Sequence, residues 1–251
     1  MREFEFKWLH LSDLHVGMTA QGGLWPSLKG ALYEDLKRLF DKVGAWDVVI
    51  FSGDLTQQGS QVEFDRLDTI LDELWARFSD WGFEPLLIPV PGNHDLQRLP
   101  PKEPEAIVLN KWWDERSVHE DFFSPESSKL FKEVQKSFGR FEKWQKSRLK
   151  RQGYTVISGI LPGDISTVFS VAGARVGIVG LNSSWLQVGA GCDALRGCAR
   201  GEARHPYASA GWMAGTSPGH DGWGGCANLL DNRLFVHVLY QYARTLAALP
   251  L

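Results

Sequence analysis

The chain has 251 residues, 43% of them hydrophobic and 23% charged, with a formal net charge of -3. This composition is typical of a soluble globular protein, and no stretch approaches the ~20 apolar residues of a membrane span. The near-neutral charge gives no overall attraction for nucleic acid or anionic lipid, and three cysteines do not make a disulfide framework. The acidic start lacks a signal-peptide pattern, so we expect a cytoplasmic protein. The length of the chain predicts a single α/β domain with insertions.

Strands and helices are predicted to alternate in the first third of the chain. Apolar runs predict strands over residues 4–11, 47–51 and 83–90. Apolar residues spaced by three and four predict amphipathic helices over 27–43 and 64–78. This alternation predicts a parallel sheet with right-handed crossovers, in which ligands bind beyond the carboxyl ends of the strands.

Polar side chains that can bind a metal or transfer a proton follow each of these strands. They are Asp13, His15, Asp54, Asn93, His94 and Asp95. Each short string has a plainer explanation, since such residues after a strand often form a turn or a helix cap. Three strings closing three successive strands are poorly explained by chance, and we interpret them as one site.

The residue types favour a site for two divalent metal ions. Such ions prefer carboxylate oxygen and imidazole nitrogen, and two ions roughly 3.5–4 Å apart need a bridging carboxylate. Asp54 lies between the other two strand ends in sequence and is suited to bridge. Asp13 and His15 can turn toward one metal, while the amide oxygen of Asn93 supplies a ligand to the other.

His94 and Asp95 are the predicted catalytic residues. A phosphate ester bound across two cations would be attacked by a metal-activated hydroxide, and the departing alkoxide needs a proton. The imidazolium of His94 is placed to provide that proton as general acid. Asp95 is expected to hold the His94 ring in the correct tautomer, as carboxylates near metal sites often do.

A helical cap insertion is predicted at about 97–153. Within it, residues 129–151 contain nine basic and two acidic residues beside an apolar helix face. One interpretation is a helix that docks by its apolar side and leaves its charges in solvent. The other is a cap that contacts a phosphate backbone or a polyanionic substrate.

A β-hairpin is predicted where residues 165–171 and 175–181 flank Ala172, Gly173 and Ala174. Residues 182–184, Asn-Ser-Ser, follow at another strand end. They are compatible with lining the same cleft and equally with local turn capping.

The chain changes character after about residue 188. Residues 189–228 are glycine-rich and carry all three cysteines, so we predict a poorly ordered segment with free thiols. Residues 229–251 are predicted to form a C-terminal helix. A change of reading frame near Gly189 would account for this composition, and inspection of the alternative frame for histidine-rich strands tests that hypothesis.

Three motifs resemble those of the calcineurin-like metallophosphoesterase family. They are Asp13-Leu14-His15-Val16-Gly17, Gly53-Asp54 and Gly92-Asn93-His94-Asp95. The resemblance implies an α/β/β/α sandwich with a dinuclear centre of Mn, Fe or Zn. Asp13 and His15 would bind the first metal, Asp54 would bridge, Asn93 would bind the second, and His94 would act as acid or contact the phosphate.

The chain departs from this family in its last quarter. The family normally adds a later histidine and a Gly-His-x-His motif, for which His205 and His220 are weak candidates because neither follows a strand-like run. We therefore expect the sandwich, with its core over residues 1–188, to be incomplete at its C-terminus.

The sequence thus predicts a metal-dependent phosphoesterase acting on a phosphodiester or phosphomonoester. A nucleotide or nucleic acid is a compatible substrate, no membrane partner is expected, and the oligomeric state is left open. The alternative function is a catalytically impaired or truncated module that binds nucleic acid or a protein partner through the basic cap helix.

Overall fold

The architecture is a mixed α/β fold with two β-sheets. A computed structural model describes residues 5–18, 21–112, 114–124, 128–189 and 237–240, with the backbone alone for 21–28 and 237–240. The elements of this part of the chain are β1 (Trp8–Leu11), α1 (Gln21–Val43), β2 (Val48–Phe51), α2 (Gln61–Asp80), β3 (Leu86–Pro89), α3 (Pro104–Leu109), α4 (Arg116–Phe122), α5 (Lys129–Arg151), β4 (Val156–Ser158), β5 (Ile165–Val171), β6 (Ala174–Gly180) and β7 (His237–Tyr240). The predicted α/β fold class is confirmed.

The first sheet is parallel, in the order β1-β2-β3. Its register aligns Leu9 with Val49 and Val49 with Leu87. All four residues of β2 are buried, as expected for an apolar strand covered on both faces. Because the three strands run in one direction, their carboxyl ends meet at one edge of the sheet.

Helices α1 and α2 cover one face of this sheet. In α2, Ser60 and Glu63 form a reciprocal capping box, and Leu67, Leu71 and Phe78 pack on the sheet in the largest apolar cluster. Helix α1 begins at Gln21, six residues before the predicted start at residue 27.

The second sheet is antiparallel, in the order β4-β5-β6-β7. The predicted hairpin is confirmed: β5 and β6 pair across Ala172 and Gly173, whose φ angles of 48° and 86° suit a tight hairpin turn. Strand β7 pairs with β6. This corrects the helix predicted over 229–251 at residues 237–240, which are extended rather than helical.

The two sheets pack face to face through a second apolar cluster. Ile50 and Ile88 of the parallel sheet meet Ile165, Val176 and Ile178 of the antiparallel sheet. Helices, parallel sheet and antiparallel sheet thus form three layers of the predicted sandwich. The fourth, helical layer is not found among the residues that the structure describes.

The predictions for residues 190–228 and for His205, His220 and the three cysteines lie outside the described residues, as does most of 229–251. None of the described helices is long and apolar enough to cross a membrane.

Helices α3, α4 and α5 lie in the segment predicted as a cap insertion. They share an apolar cluster that includes Leu109, Phe122 and Phe138. The C-terminal half of α5 packs on α2, where the indole N–H of Trp144 donates to Asp68 at 2.9 Å.

Part of the basic charge of α5 is used in ion pairs. Arg148, buried on α5, pairs with Asp68 and Asp72 of α2, and Arg151 pairs with Asp68. Lys136 and Lys146 pair with glutamates of their own helix. These contacts favour the interpretation of α5 as a docked helix with a solvated face.

Candidate metal centre

The loops that follow β1 and β2 run side by side beyond the sheet. The main-chain N–H of Asp13 donates to Gly53 O at 3.1 Å, and that of His15 donates to Asp54 O at 2.9 Å. A further bond joins Val16 N to Leu55 O at 2.9 Å. The parallel pairing therefore continues past the strand ends and places Asp13 and His15 beside Asp54.

Three residues of these loops have a left-handed backbone. The φ angles are 58° at Asp13, 45° at His15 and 53° at Asp54. Such a conformation costs a residue with a side chain about 1–2 kcal/mol and is concentrated at functional sites. The hydrogen bonds between the two loops stabilise this left-handed conformation. They offset its energetic cost and so fix the positions of the three side chains.

The loop after β3 touches the loop after β2 through two glycines. A Cβ atom on Gly53, where φ is +111°, would lie 2.7 Å from the Cα atom of Gly92. A Cβ atom on Gly92 would lie 2.2 Å from Oδ1 of Asp54. The backbones are therefore in direct contact, and this approach brings Asn93 and His94 next to Asp54.

Asp13, His15 and Asp54 form a compact group of possible metal ligands. Their ligand atoms all lie within 4.8 Å of one another, and Nε2 of His15 is 3.7 Å from Oδ1 of Asp13. Asp13 is exposed, while Asp54 is buried. The sequence prediction of these three residues as neighbours thus matches their positions.

The donor set suits a divalent cation. Two carboxylates and one imidazole are ligands that Mn²⁺, Fe²⁺ and Zn²⁺ accept. Nδ1 of His15 is buried and has no hydrogen-bond partner among the described residues. This ring nitrogen is therefore not satisfied within the described residues, which is the state expected of an imidazole that holds an ion.

Asp54 is held by the third loop as well. Its Oδ1 accepts a hydrogen bond from the main-chain N–H of His94 at 2.9 Å. Burial raises the pKa of Asp54, and the hydrogen bond from His94 opposes that rise. The carboxylate is thus anchored to the loop that carries the predicted general acid.

The imidazole of His94 lies against that of His15. The two rings meet edge to face with their centroids 4.7 Å apart. Nδ1 of His94 is 2.9 Å from the main-chain oxygen of Gln57. A carbonyl accepts hydrogen bonds and cannot donate them, so Nδ1 carries a proton in this arrangement and Nε2 is the ring nitrogen that this bond leaves unused.

Asp95 does not hold the ring of His94, contrary to our expectation. Its buried carboxylate accepts hydrogen bonds from the N–H groups of Gly92, Leu55 and Thr56 at 2.7–3.1 Å, and from Oγ1 of Thr56 at 2.9 Å. Burial raises the pKa of Asp95 to about 6, against the effect of these donors. Asp95 therefore joins the loops after β2 and β3, and the Gln57 carbonyl orients the ring.

Asn93 directly precedes His94 in the loop after β3 and is half-buried, and its role as a metal ligand stays a prediction. Asn182 behaves differently. Its side chain donates to Pro162 O at 2.8 Å and accepts from Ser184 N at 2.9 Å. Of the two interpretations of residues 182–184, local turn capping is the one that the hydrogen bonds support.

Two groups near the site were not found from the sequence. The main-chain oxygen of Gln57 contacts His94, and every residue carries such an oxygen, so no sequence signal marks it. Arg98 donates from Nη2 to the main-chain oxygen of Asn93 at 3.2 Å. Its position soon after Asn93 in the chain was a usable signal, since a short loop keeps its members close.

An α/β fold whose parallel strand ends gather two carboxylates and a histidine defines a candidate divalent-metal protein. The family model of the calcineurin-like phosphoesterases matches residues 6–180, which is more than half of the chain. The chain therefore belongs to the calcineurin-like phosphoesterase family, as its motifs predicted. No curated protein matches it.

Proposed function

We propose that this chain is a metal-dependent phosphoesterase that hydrolyses a phosphodiester or a phosphomonoester. The observation that carries the proposal is the grouping of Asp13, His15 and Asp54 within 4.8 Å, with the ring of His94 packed against that of His15. Membership of the phosphoesterase family supports the same reaction class.

Asp13, His15 and Asp54 would hold one divalent cation. Asn93 would bind a second cation, with Asp54 shared between the two. When bound, such ions supply Lewis-acid catalysis and lower the pKa of coordinated water. The left-handed backbone at Asp13, His15 and Asp54 sets these side chains in place before any ligand arrives.

His94 would act as the general acid. Because Nδ1–H donates its hydrogen bond to the Gln57 carbonyl, Nε2 is the nitrogen from which the imidazolium can transfer a proton to the substrate. Fixing one side of the ring also fixes the direction in which the other side presents its proton. Asp95 would contribute by keeping the two loops together, as a positioning residue.

Hydrolysis of bis(p-nitrophenyl) phosphate and p-nitrophenyl phosphate, with Mn²⁺, Fe²⁺ or Zn²⁺ added in turn, tests the proposal. We expect turnover by the wild type, and Asp54→Asn and His94→Gln to lower kcat about 100-fold or more. Asp41→Asn, an exposed carboxylate on α1, is the control and should keep full activity. Turnover of both variants at the wild-type rate would contradict the proposal. Absence of wild-type turnover with every metal would contradict it as well.

Metal analysis of the purified protein tests the cofactor directly. Two equivalents per chain are expected if Asn93 completes a second site. One equivalent that is lost in Asp13→Asn would restrict the centre to a single ion.

The alternative function, binding of nucleic acid or a partner through α5, has weaker support. Arg148 and Arg151 are already paired with carboxylates of α2. Salt-sensitive binding of DNA that is weakened by Lys143→Ala and Lys150→Ala would favour this alternative.

A further inference from the structure

Arg98 places a positive charge at the loop that carries Asn93 and His94. Its guanidinium donates from Nη2 to the main-chain oxygen of Asn93 at 3.2 Å, and the side chain is exposed. Within the described part of the chain, no carboxylate forms an ion pair with it. A guanidinium has five N–H donors, so most of them are left for a ligand.

The backbone on both sides of Arg98 is fixed. The N–H of Gln97 donates to Ser137 O at 2.9 Å, and the N–H of Leu99 donates to Val188 O at 2.7 Å. The main chain of Leu96, the residue before Gln97, also lies close to Gly59. A Cβ atom on Gly59 would be 2.8 Å from the carbonyl carbon of Leu96. Arg98 is therefore presented from a rigid segment, which limits the entropy lost when its side chain binds a ligand.

The positive charge of Arg98 is opposite in sign to the carboxylates of the candidate metal centre, so the two bind different parts of a substrate complex. Asp13 and Asp54 are anions whose proposed role is to hold cations against the reacting phosphate. Arg98 is hydrogen-bonded to the loop after β3, which carries Asn93 and His94. Its guanidinium offers a planar pair of N–H donors, the geometry that matches two oxygens of a phosphate. It can therefore bind an anionic group beside the one that reacts.

We infer that Arg98 is a specificity-determining residue that binds a second phosphate group of the substrate, next to the phosphate that is hydrolysed. This inference rests on the proposed function. It narrows the substrate class to esters with at least two phosphates close together. A nucleoside polyphosphate and a nucleic-acid strand share that chemistry.

The test compares kcat/KM on three substrates. Bis(p-nitrophenyl) phosphate has one phosphate, a dinucleoside diphosphate has two in a pyrophosphate link, and a short single-stranded oligonucleotide has several along its backbone. We expect Arg98→Gln to lower kcat/KM on at least one multiphosphate substrate about tenfold more than on the single phosphate, from the loss of a charged hydrogen bond. A loss on the pyrophosphate alone identifies a nucleoside polyphosphate, and a loss on the oligonucleotide alone identifies a strand.

Two variants serve as controls. Arg98→Lys keeps the charge without the planar fork and should show a smaller loss of selectivity than Arg98→Gln. Arg116→Gln removes an exposed arginine of α4 that pairs with Glu120, and should leave the substrate ratio unchanged.

The outcomes separate the two proposals. If Arg98→Gln lowers kcat/KM equally on all three substrates, or on none, the inference about Arg98 is wrong while the phosphoesterase function stands. If the wild type hydrolyses p-nitrophenyl phosphate but none of these three substrates, the inference about Arg98 is wrong while the phosphoesterase function stands. If it hydrolyses none of the four with any of the metals, the proposed function fails and this inference fails with it.

Discussion

Two polar turns in this protein use similar residues for different purposes. The turn of residues 92–95 follows β3, and the turn of residues 182–184 follows β6. Each is closed by a buried carboxylate: Asp95 accepts four hydrogen bonds, and Asp164 accepts two, from the main-chain N–H groups of Leu161 and Asn182.

The difference lies in the neighbours of that carboxylate. In the turn after β3, Asn93 and His94 stay half-buried. In the turn after β6, Asn182 and Ser184 are 2% and 1% exposed and bond within the turn. The two turns therefore differ in how deeply their polar side chains are buried around the carboxylate.

The largest expected effect comes from removing the closing carboxylates. Asp95→Ala leaves three main-chain N–H groups buried without an acceptor, and we expect a loss of about 4 kcal/mol in the free energy of unfolding. Asp164→Ala leaves two such groups, and we expect about 2 kcal/mol. Urea denaturation followed by circular dichroism measures both, and the reverse order would break the comparison.

The contact between the loops gives the next effect. Gly92→Ala places a Cβ atom 2.3 Å from the main-chain nitrogen of Asp54, so either loop must move. We expect a loss of about 2–3 kcal/mol of stability, the upper range for overpacking, together with reduced phosphoesterase activity. Gly139→Ala is the control, because a Cβ atom there meets open space in α5 and should stabilise by about 0.5–1 kcal/mol. A Gly92→Ala protein as stable and active as the wild type would contradict the contact.

Substitution of Asn93 and Asn182 is expected to have the smallest effects, and each should affect either activity or stability but not both. Asn93→Ala should lower activity about 10–100-fold, the scale for weakening a metal site, with little effect on stability. Asn182→Ala removes two buried hydrogen bonds and should cost about 1–2 kcal/mol of stability with kcat unchanged. The pair is measured by ester hydrolysis and thermal unfolding, and equal effects in both assays would show that the turns do not differ.

The sequence was sufficient for the parallel sheet and for the grouping of three candidate metal ligands. Apolar runs such as residues 47–51 mark buried strands, and parallel strands end at one edge, so Asp13, His15 and Asp54 had to be near one another. The family motifs added the likeness to known phosphoesterases, which the match over residues 6–180 bears out.

The role of Asp95 was beyond sequence reasoning. Its position next to His94 suggested a contact with the ring, but neighbours in a turn point in different directions. Its oxygens instead meet Leu55 and Thr56, about 40 residues earlier in the chain. Strand β7 was missed for a related reason, because its partner β6 lies far away in sequence and periodicity reports only local structure.

The left-handed backbone at Asp13, His15 and Asp54 determines which substitutions are suitable for testing the site. Among residues with a side chain, asparagine and aspartate tolerate this conformation best, and β-branched residues tolerate it worst. An alanine at these positions would change the backbone energy and the ligand chemistry at once. Asparagine at 13 and 54 keeps the backbone preference while removing the charge, so it is the substitution whose effect on catalysis has a single chemical cause.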